Sequence, residues 1–376
     1  MEILKNLMKY VVIYLDCILD IVLKKSNNLI NKDLILIRVD GIGDFILWMR
    51  SAEIIRKEYK GKIILVCNKS SYSLAKELNY FDEIIPIDTK RFNYNIFYKY
   101  KILKNLRKNK YKLLINSTYS KNITSESLVK HIISQEKIGN HGDCSNLTKF
   151  QKEMYEGSYT KLIKTDLENK MELYKNLDFI NELFNKNYKL TLPILKVQKK
   201  ARVIKEDYCI FFMGASNLKR CWEIKKYVEI AEVLNLKIVL CGGKTEEKLG
   251  ERFLKLVNNK EKIVNLIGKT SLIDIVNLIK KSKFILSNES FSIHLAALLR
   301  VKSICILGGG HFGRFLPYPK ELENENDKFL PEVIYKKMEC FNCNWKCKYD
   351  DIPWKCIKNI QEKDIIKLIL FYVKEN

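Results

Sequence analysis

The feature that most limits what this chain can fold into is an alternation that occurs twice. Short β-branched runs, LILIRV (34–39), KIILVC (62–67), EIIPI (83–87) and KLLIN (112–116), are separated by stretches with helical spacing such as FILWMRSAEIIRKEY (45–59). The pattern then restarts: YCIFFM (208–213), KIVLC (237–241), KIVNLI (262–267), FILSN (284–288) and SICIL (303–307). Helical spacing returns between them at 223–235, 245–257 and 271–282. Strand, helix, strand at this interval is the mark of a parallel sheet with crossover helices. The expected fold class is therefore α/β, with two Rossmann-like doubly wound domains facing a central cleft. Ser271 with Asp274 three residues later fits a capping box at one helix start. Residues 118–195 are polar and aromatic and read mostly as helices and loops.

The length of 376 residues suits two domains of ordinary size. The expected division is an N-terminal amphipathic helix (1–30), a first Rossmann-like domain (31–195), a charged linker (196–206), a second Rossmann-like domain (207–335), and a Cys-rich segment with a C-terminal helix (336–376). The first 25 residues lack a cleavage site, and Lys9, Asp16 and Asp20 interrupt their apolar run. A signal peptide and a spanning helix are both disfavoured. A packed helix, or one lying in a membrane interface, is left. The expected location is cytoplasmic, with peripheral contact at the inner face of the cytoplasmic membrane.

The formal charge of +23 is spread along the chain rather than blocked in one tail. It reflects either a lysine-rich composition or attraction to polyanions, among which an anionic glycolipid is expected as partner and nucleic acid is not. Seven scattered cysteines (17, 67, 144, 209, 221, 241, 305) read as small buried hydrophobes in a reducing compartment.

The first strand ends in RVDGIGDF. Gly41 and Gly43 permit a tight strand-to-helix turn with backbone close to a ligand. A dinucleotide fingerprint would need a third glycine where Ile46 stands, and an acid after the second strand where Asn68 stands. A nicotinamide oxidoreductase is therefore disfavoured, and a Walker loop is absent. Asp44 falls in the first helical turn at the sheet edge where ligands bind; there it serves either the helix dipole or proton transfer.

In the second block three strands end at the same edge. GASNLKRCW (214–222) offers Gly214 and Ser216 for close approach and Lys219 and Arg220 for phosphate; GGKTEE (242–247) follows the next strand. NESFSIHLAALL (288–299) contains Ser290 and Ser292 as candidate caps of a helix whose N–H groups would meet an anion. His294 in that helix is either structural or a ligand contact. Cations, glycines and a helix N-terminus on one edge point to a diphosphate-bearing ligand.

These motifs together resemble glycosyltransferase family 9, over roughly residues 34 to 360. The resemblance implies a GT-B architecture, inversion at the anomeric carbon, no metal in catalysis and a nucleotide-activated sugar as co-substrate held mainly by the second domain. It makes Asp44 of RVDGIGD the general base. It assigns donor phosphates to Gly214, Ser216 and Lys219 or Arg220, and the nucleoside to Gly242, Gly243 and Glu246. Asn288, Glu289, Ser290 and His294 match its N-D-S/T-G-x-x-H signature, with Glu289 in place of the aspartate and Phe291 in place of the glycine. One residue is inserted before Trp222: the motif favours Lys219 and the distance to the tryptophan favours Arg220. His311 and Arg314 in GGGHFGRFLPYP (308–319) follow the last strand and face the same edge.

Near the end, Cys340, Cys343, Cys347 and Cys356 fall within seventeen residues. Such spacing serves a structural zinc or an iron–sulfur cluster, or reduced thiols packing a terminal hairpin. Two other functions suit the same fold: a noncatalytic glycolipid- or polyanion-binding protein, and a GT-B-type nucleotide-sugar epimerase.

Overall fold

The structure is a computed structural model that describes residues 13–23, 29–165, 170–197, 204–323 and 328–374. The expected N-terminal helix lies outside the described residues at 1–12 and 24–28, and the expected linker at 198–203. The chain divides into two compact units, Met1–Glu168 with Tyr174–Lys189, and Asn169–Leu173 with Leu190–Asn376.

The first unit contains β1 (Ile30–Arg38), β2 (Ile63–Asn68), β3 (Glu83–Ile87), β4 (Asn109–Asn116), β5 (Ile133–Asn140) and β6 (Lys161–Ile163). All are parallel, in the order β3-β2-β1-β4-β5-β6. The second contains β7 (Tyr208–Phe212), β8 (Lys237–Leu240), β9 (Ile263–Asn265), β10 (Ile285–Asn288), β11 (Ser303–Ile306) and β12 (Glu332–Ile334). These too are parallel, ordered β12-β11-β10-β7-β8-β9. In each sheet the chain winds outward from its first strand, then crosses back beside it. The reversal points, β1/β4 and β7/β10, are where this kind of sheet opens a crevice at its carboxyl edge. Central strands are buried on both faces, which is why their sequences are continuous rather than alternating.

Two expectations need correction. Residues 118–195 hold β5 and β6 as well as helices. β5, ISQEKIGN, is buried only over its last three residues, and β6 has three residues, so neither carries an apolar run. Strand β12, EVI, lacks a fully buried residue for the same reason. The second concerns cysteine: Cys17 and Cys144 are exposed, whereas Cys67, Cys209, Cys221, Cys241 and Cys305 are buried. Burial pushes the Cys67 and Cys241 thiols up to about 12, which leaves them unreactive.

Residues 13–22 form a helix, with Leu19 and Leu23 in the same core as Leu103 and Leu106. Asp16 on this helix is wholly buried, paired with Lys99 and accepting from Ser127 Oγ (2.8 Å) and Tyr155 OH (2.6 Å). Among the described residues no helix is long and apolar enough to cross a membrane. The capping box at Ser271 is present: its hydroxyl accepts from the Asp274 N–H (3.2 Å), and Asp274 accepts from the Ser271 N–H (2.9 Å). Trp354, Ile357, Ile365 and Ile369 enter the core around β7, β8 and β11, so the terminal segment is built into the second unit.

Candidate functional site

In the second unit the loops after β7, β8 and β10 meet at one edge. Asn288, the last residue of β10, ties the loop after β7 to its own strand end. Its Nδ2 donates to the Met213 carbonyl (2.6 Å), and its Oδ1 accepts from the Trp222 N–H (3.0 Å). The GASNLKRC loop is thereby fixed at both ends. Glu246, reaching back from the loop after β8, accepts from the Gly243 N–H at 2.7 Å. A Cβ on Gly214 or on Gly242 would overlap its carboxylate, so both glycines make room for this side chain. Burial raises the Glu246 pKa.

Arg220 sits in a single 3-10 turn, Leu218–Arg220, capped by the Asn217 side chain. Its Nη1 donates to Ser216 Oγ (3.0 Å), its Nη2 lies 3.0 Å from Glu289 Oε2, and its guanidinium covers the Trp345 ring at 4.4 Å. Burial raises the Glu289 pKa against the pull of Arg220. Arg220 keeps 18% of its side-chain surface exposed, whereas Glu289 beneath it is buried. Lys219 differs. Its backbone is held, by Asn217 Oδ1 (2.9 Å) and by the Trp354 N–H (2.9 Å), and its side chain is half-buried.

Ser290 precedes the helix Phe291–Leu298 but does not cap it through its side chain. Its hydroxyl instead joins those of Ser287 (3.2 Å) and Ser292 (2.8 Å), so the capping role expected of either serine is replaced by a hydroxyl cluster. Phe291 packs on Phe212, ring centroids 6.3 Å apart. His294 is buried, with Nδ1 2.7 Å from the Tyr318 hydroxyl, and burial lowers its pKa to about 4. The ring is therefore neutral near pH 7. His311 accepts from Trp345 Nε1 at 3.2 Å; burial, then Arg314 and Arg220, lowers its pKa to about 4. Arg314 is 3.4 Å from Glu172 and is engaged there.

Cys340, Cys343, Cys347 and Cys356 line one small cavity with Gly309, Gly310 and Trp345. All four are free thiols. No three His, Cys, Asp or Glu side chains are gathered as a metal-binding set among the described residues. The Cys-rich segment, a run of turns, docks on the loop after β11 through Asn342 N–H to the Gly309 carbonyl (2.7 Å) and Asn344 N–H to that of Gly310 (3.0 Å).

In the first unit Arg38 ends β1 almost fully buried. It pairs with Asp40 (3.0 Å), donates to the Asp44 carbonyl (3.0 Å) and lies over Trp48. This holds the first turn of the helix Ile42–Glu58 against the strand end and leaves the Asp44 carboxylate half-exposed. Gly41 has φ −69°, open to any residue, so the turn itself does not require glycine. What Gly41 supplies is space: a Cβ there would come within 3.3 Å of Asp44 Oδ2. Gly43 lies half-buried in the helix's first turn.

Sequence reasoning missed a buried polar network beyond β4. Asn116 donates to Glu126 (3.1 Å) and to the Tyr159 hydroxyl (2.9 Å), which in turn donates to Glu126 (2.6 Å). Lys121, wholly buried, lies 3.7 Å from Glu126 and 4.7 Å from the Tyr159 ring centroid. The only signal was NSTYSKN (116–122), a polar run directly after a strand.

Fold and loops together define a two-unit Rossmann-like protein of the GT-B class. A family model described as glycosyltransferase family 9 (heptosyltransferase) matches residues 99–344, and the chain belongs to that family. Lipooligosaccharide heptosyltransferase 2 of Campylobacter jejuni is 24% identical over 153 residues, 39% of this chain and 44% of the relative. The chain spans about half the length of the curated relatives it matches. Among solved structures, a family 9 glycosyltransferase from Veillonella parvula superposes with a TM-score of 0.70 at 16% identity, covering 94% of this chain and all of that one. The Escherichia coli ADP-heptose lipopolysaccharide heptosyltransferase II gives 0.67 at 17% identity, covering 91% and 99%.

Proposed function

We propose that this protein is an inverting glycosyltransferase. It moves a heptose or related sugar from a nucleotide diphosphate to a lipopolysaccharide or other surface-glycan acceptor, with no metal in the chemistry. The observation that carries the reading is Arg220, a partly exposed cation at the β7/β10 reversal point, beside Ser216 and a glycine-built loop. Positive charge there stabilises a departing diphosphate, and Glu246 with Gly242 and Gly243 receives the nucleoside. On the first unit, Asp44 takes the proton of the acceptor hydroxyl. The oxygen attacks the anomeric carbon from the face opposite the diphosphate, the carbon–phosphate oxygen bond breaks, and the configuration inverts. His294 and His311, both neutral, position the loops rather than transfer protons. The protein would work in the cytoplasm, against the inner face of the membrane that carries its acceptor.

The test is to incubate the protein with a panel of nucleotide diphosphate sugars, with and without surface-glycan acceptors, and to measure nucleotide diphosphate release. Acceptor-dependent release is expected with one donor. Tight donor binding with no release under any acceptor would mark a binding protein instead.

A further inference from the structure

Two neighbouring helices of the first unit present an unusual outer surface. On the helix at 13–22, Leu19 and Leu23 point into the core, yet Tyr14, Ile18, Ile21 and Val22 point out, with Ile21 82% exposed. Their spacing is i, i+4, i+7, i+8, one continuous helical face. Beside it runs the helix Ile96–Leu106, joined to the first by the buried Asp16–Lys99 pair and by shared packing of Leu19 with Leu103. Its outer face carries Phe97, 83% exposed, followed by exposed Lys101 and Lys104 at the same helical spacing. From Thr89 to Ser125 the sequence has ten Lys and Arg and no Asp or Glu. The acid exposed on the first helix, Asp20, is neutralised by Lys130 at 2.8 Å.

An aliphatic stripe has no use for water, and a monomer rarely leaves one uncovered without a partner. Lysines flanking such a stripe are the pattern of a helix pair that lies in a bilayer interface: apolar groups enter the headgroup boundary while ammonium groups meet lipid phosphates. An exposed Phe at the border suits the same depth. Nucleic acid would use the lysines but leave Ile18, Ile21 and Val22 in water.

We infer that this two-helix surface docks the protein on an anionic phospholipid bilayer, with Ile18, Ile21 and Phe97 inserted and Lys101 and Lys104 on the headgroups. The inference extends the reading of a membrane-borne acceptor given above, and it is testable without donor or acceptor. Full-length protein is sedimented with vesicles of phosphatidylcholine alone, or mixed with phosphatidylglycerol. Binding is expected to the mixed vesicles only and to weaken as salt is raised. Lys101→Ser with Lys104→Ser should lower partitioning about 25-fold, from about fivefold per lysine at an anionic surface. Ile18→Ser with Ile21→Ser should lower it about 100-fold, from about tenfold per inserted side chain. All four positions are exposed, so melting temperatures should hold; if a pair fails to fold, Phe97→Ser replaces it. Equal binding to both vesicle types, binding to neither, unaltered binding of both variants, or binding to duplex DNA in place of vesicles would each overturn the inference. A chain that docks but transfers no sugar leaves this surface standing and removes the transferase reading alone.

Discussion

At the carboxyl edge of the first sheet, polar side chains bond chiefly to one another. Asn116, Glu126 and Tyr159 close a network around buried Lys121, and Arg38 is consumed by Asp40 and the Asp44 carbonyl. At the same edge of the second sheet, room is made by glycine and the cation remains within reach of solvent. Gly214 and Gly242 accommodate Glu246, and Arg220 stays partly exposed where Arg38 and Lys121 are shut away from solvent. Strand order is the same in both. One edge is preset, with its cations shut away from solvent; the other keeps a cation that solvent can reach. A diphosphate can use only a cation that it can reach, and that cation acts best when it is already in place as charge develops. The sheets supply position and the loops supply chemistry.

The sharpest way to break the comparison is at Asp44. If the first edge exists to place a base, Asp44→Asn should lower turnover about 10²–10⁴-fold while the nucleotide-induced rise in melting temperature survives. A variant retaining more than about a tenth of turnover would leave Asp44 as an ordinary helix-start acid.

Next in size is the network itself. Lys121→Ala removes the cation from a carboxylate that burial already pushes toward its neutral form. The cost should be about 3 kcal/mol in chemical denaturation, at the low end for a broken buried pair because Asn116 and Tyr159 still reach Glu126. A loss below about 1 kcal/mol would mean that the first edge is no more preset than the second.

A smaller effect separates the two cations of the second edge. Arg220→Ala should lower turnover about 10²-fold, as loss of one electrostatic donor does, and Lys219→Ala should lower it only slightly. The motif resemblance points to Lys219 and the geometry to Arg220. A reversed result would place the diphosphate on the far side of the Leu218–Arg220 turn.

What was legible in the sequence follows from where apolar matter is concentrated. LILIRV and YCIFFM sit centrally, covered on both faces, and read as strands unaided. β5 has Ser, Gln, Glu and Lys over its early, more accessible half, so no run or alternation betrayed it. Edge loops were visible as glycine and charge, and Gly214 and Gly242 do make room. Which of two adjacent cations is engaged depends on Trp345, more than a hundred residues away, and spacing carries no such information. Lys121 looked like one more lysine in a chain with many; only the fold shows it buried.

The last prediction concerns protons, and it sharpens the comparison through two buried histidines. His131 in the first unit has its pKa lowered by burial, but Asp16 and Asp20 pull it back up. His294 in the second has burial alone, facing Tyr318 with no carboxylate as counterweight, and falls to about 4. The unfolded chain takes up a proton near the ordinary histidine value of about 6.5, whereas folded His294 does not until about pH 4. Protonation therefore favours the unfolded state. The contribution of neutral His294 is fully present above about pH 6.5 and is lost progressively as pH falls toward about 4. Between about pH 7 and about pH 6 it amounts to about 0.7 kcal/mol, the uptake of a fraction of one proton by the unfolded chain alone. His294→Asn, which keeps a polar group toward Tyr318 without the titration, should flatten the acid limb of stability against pH by that amount. His131→Asn should flatten it less, because the two aspartates narrow the gap between folded and unfolded values. Equal slopes for both variants would show that burial, rather than the missing counter-charge, sets both rings, and the two units would then be alike in this respect.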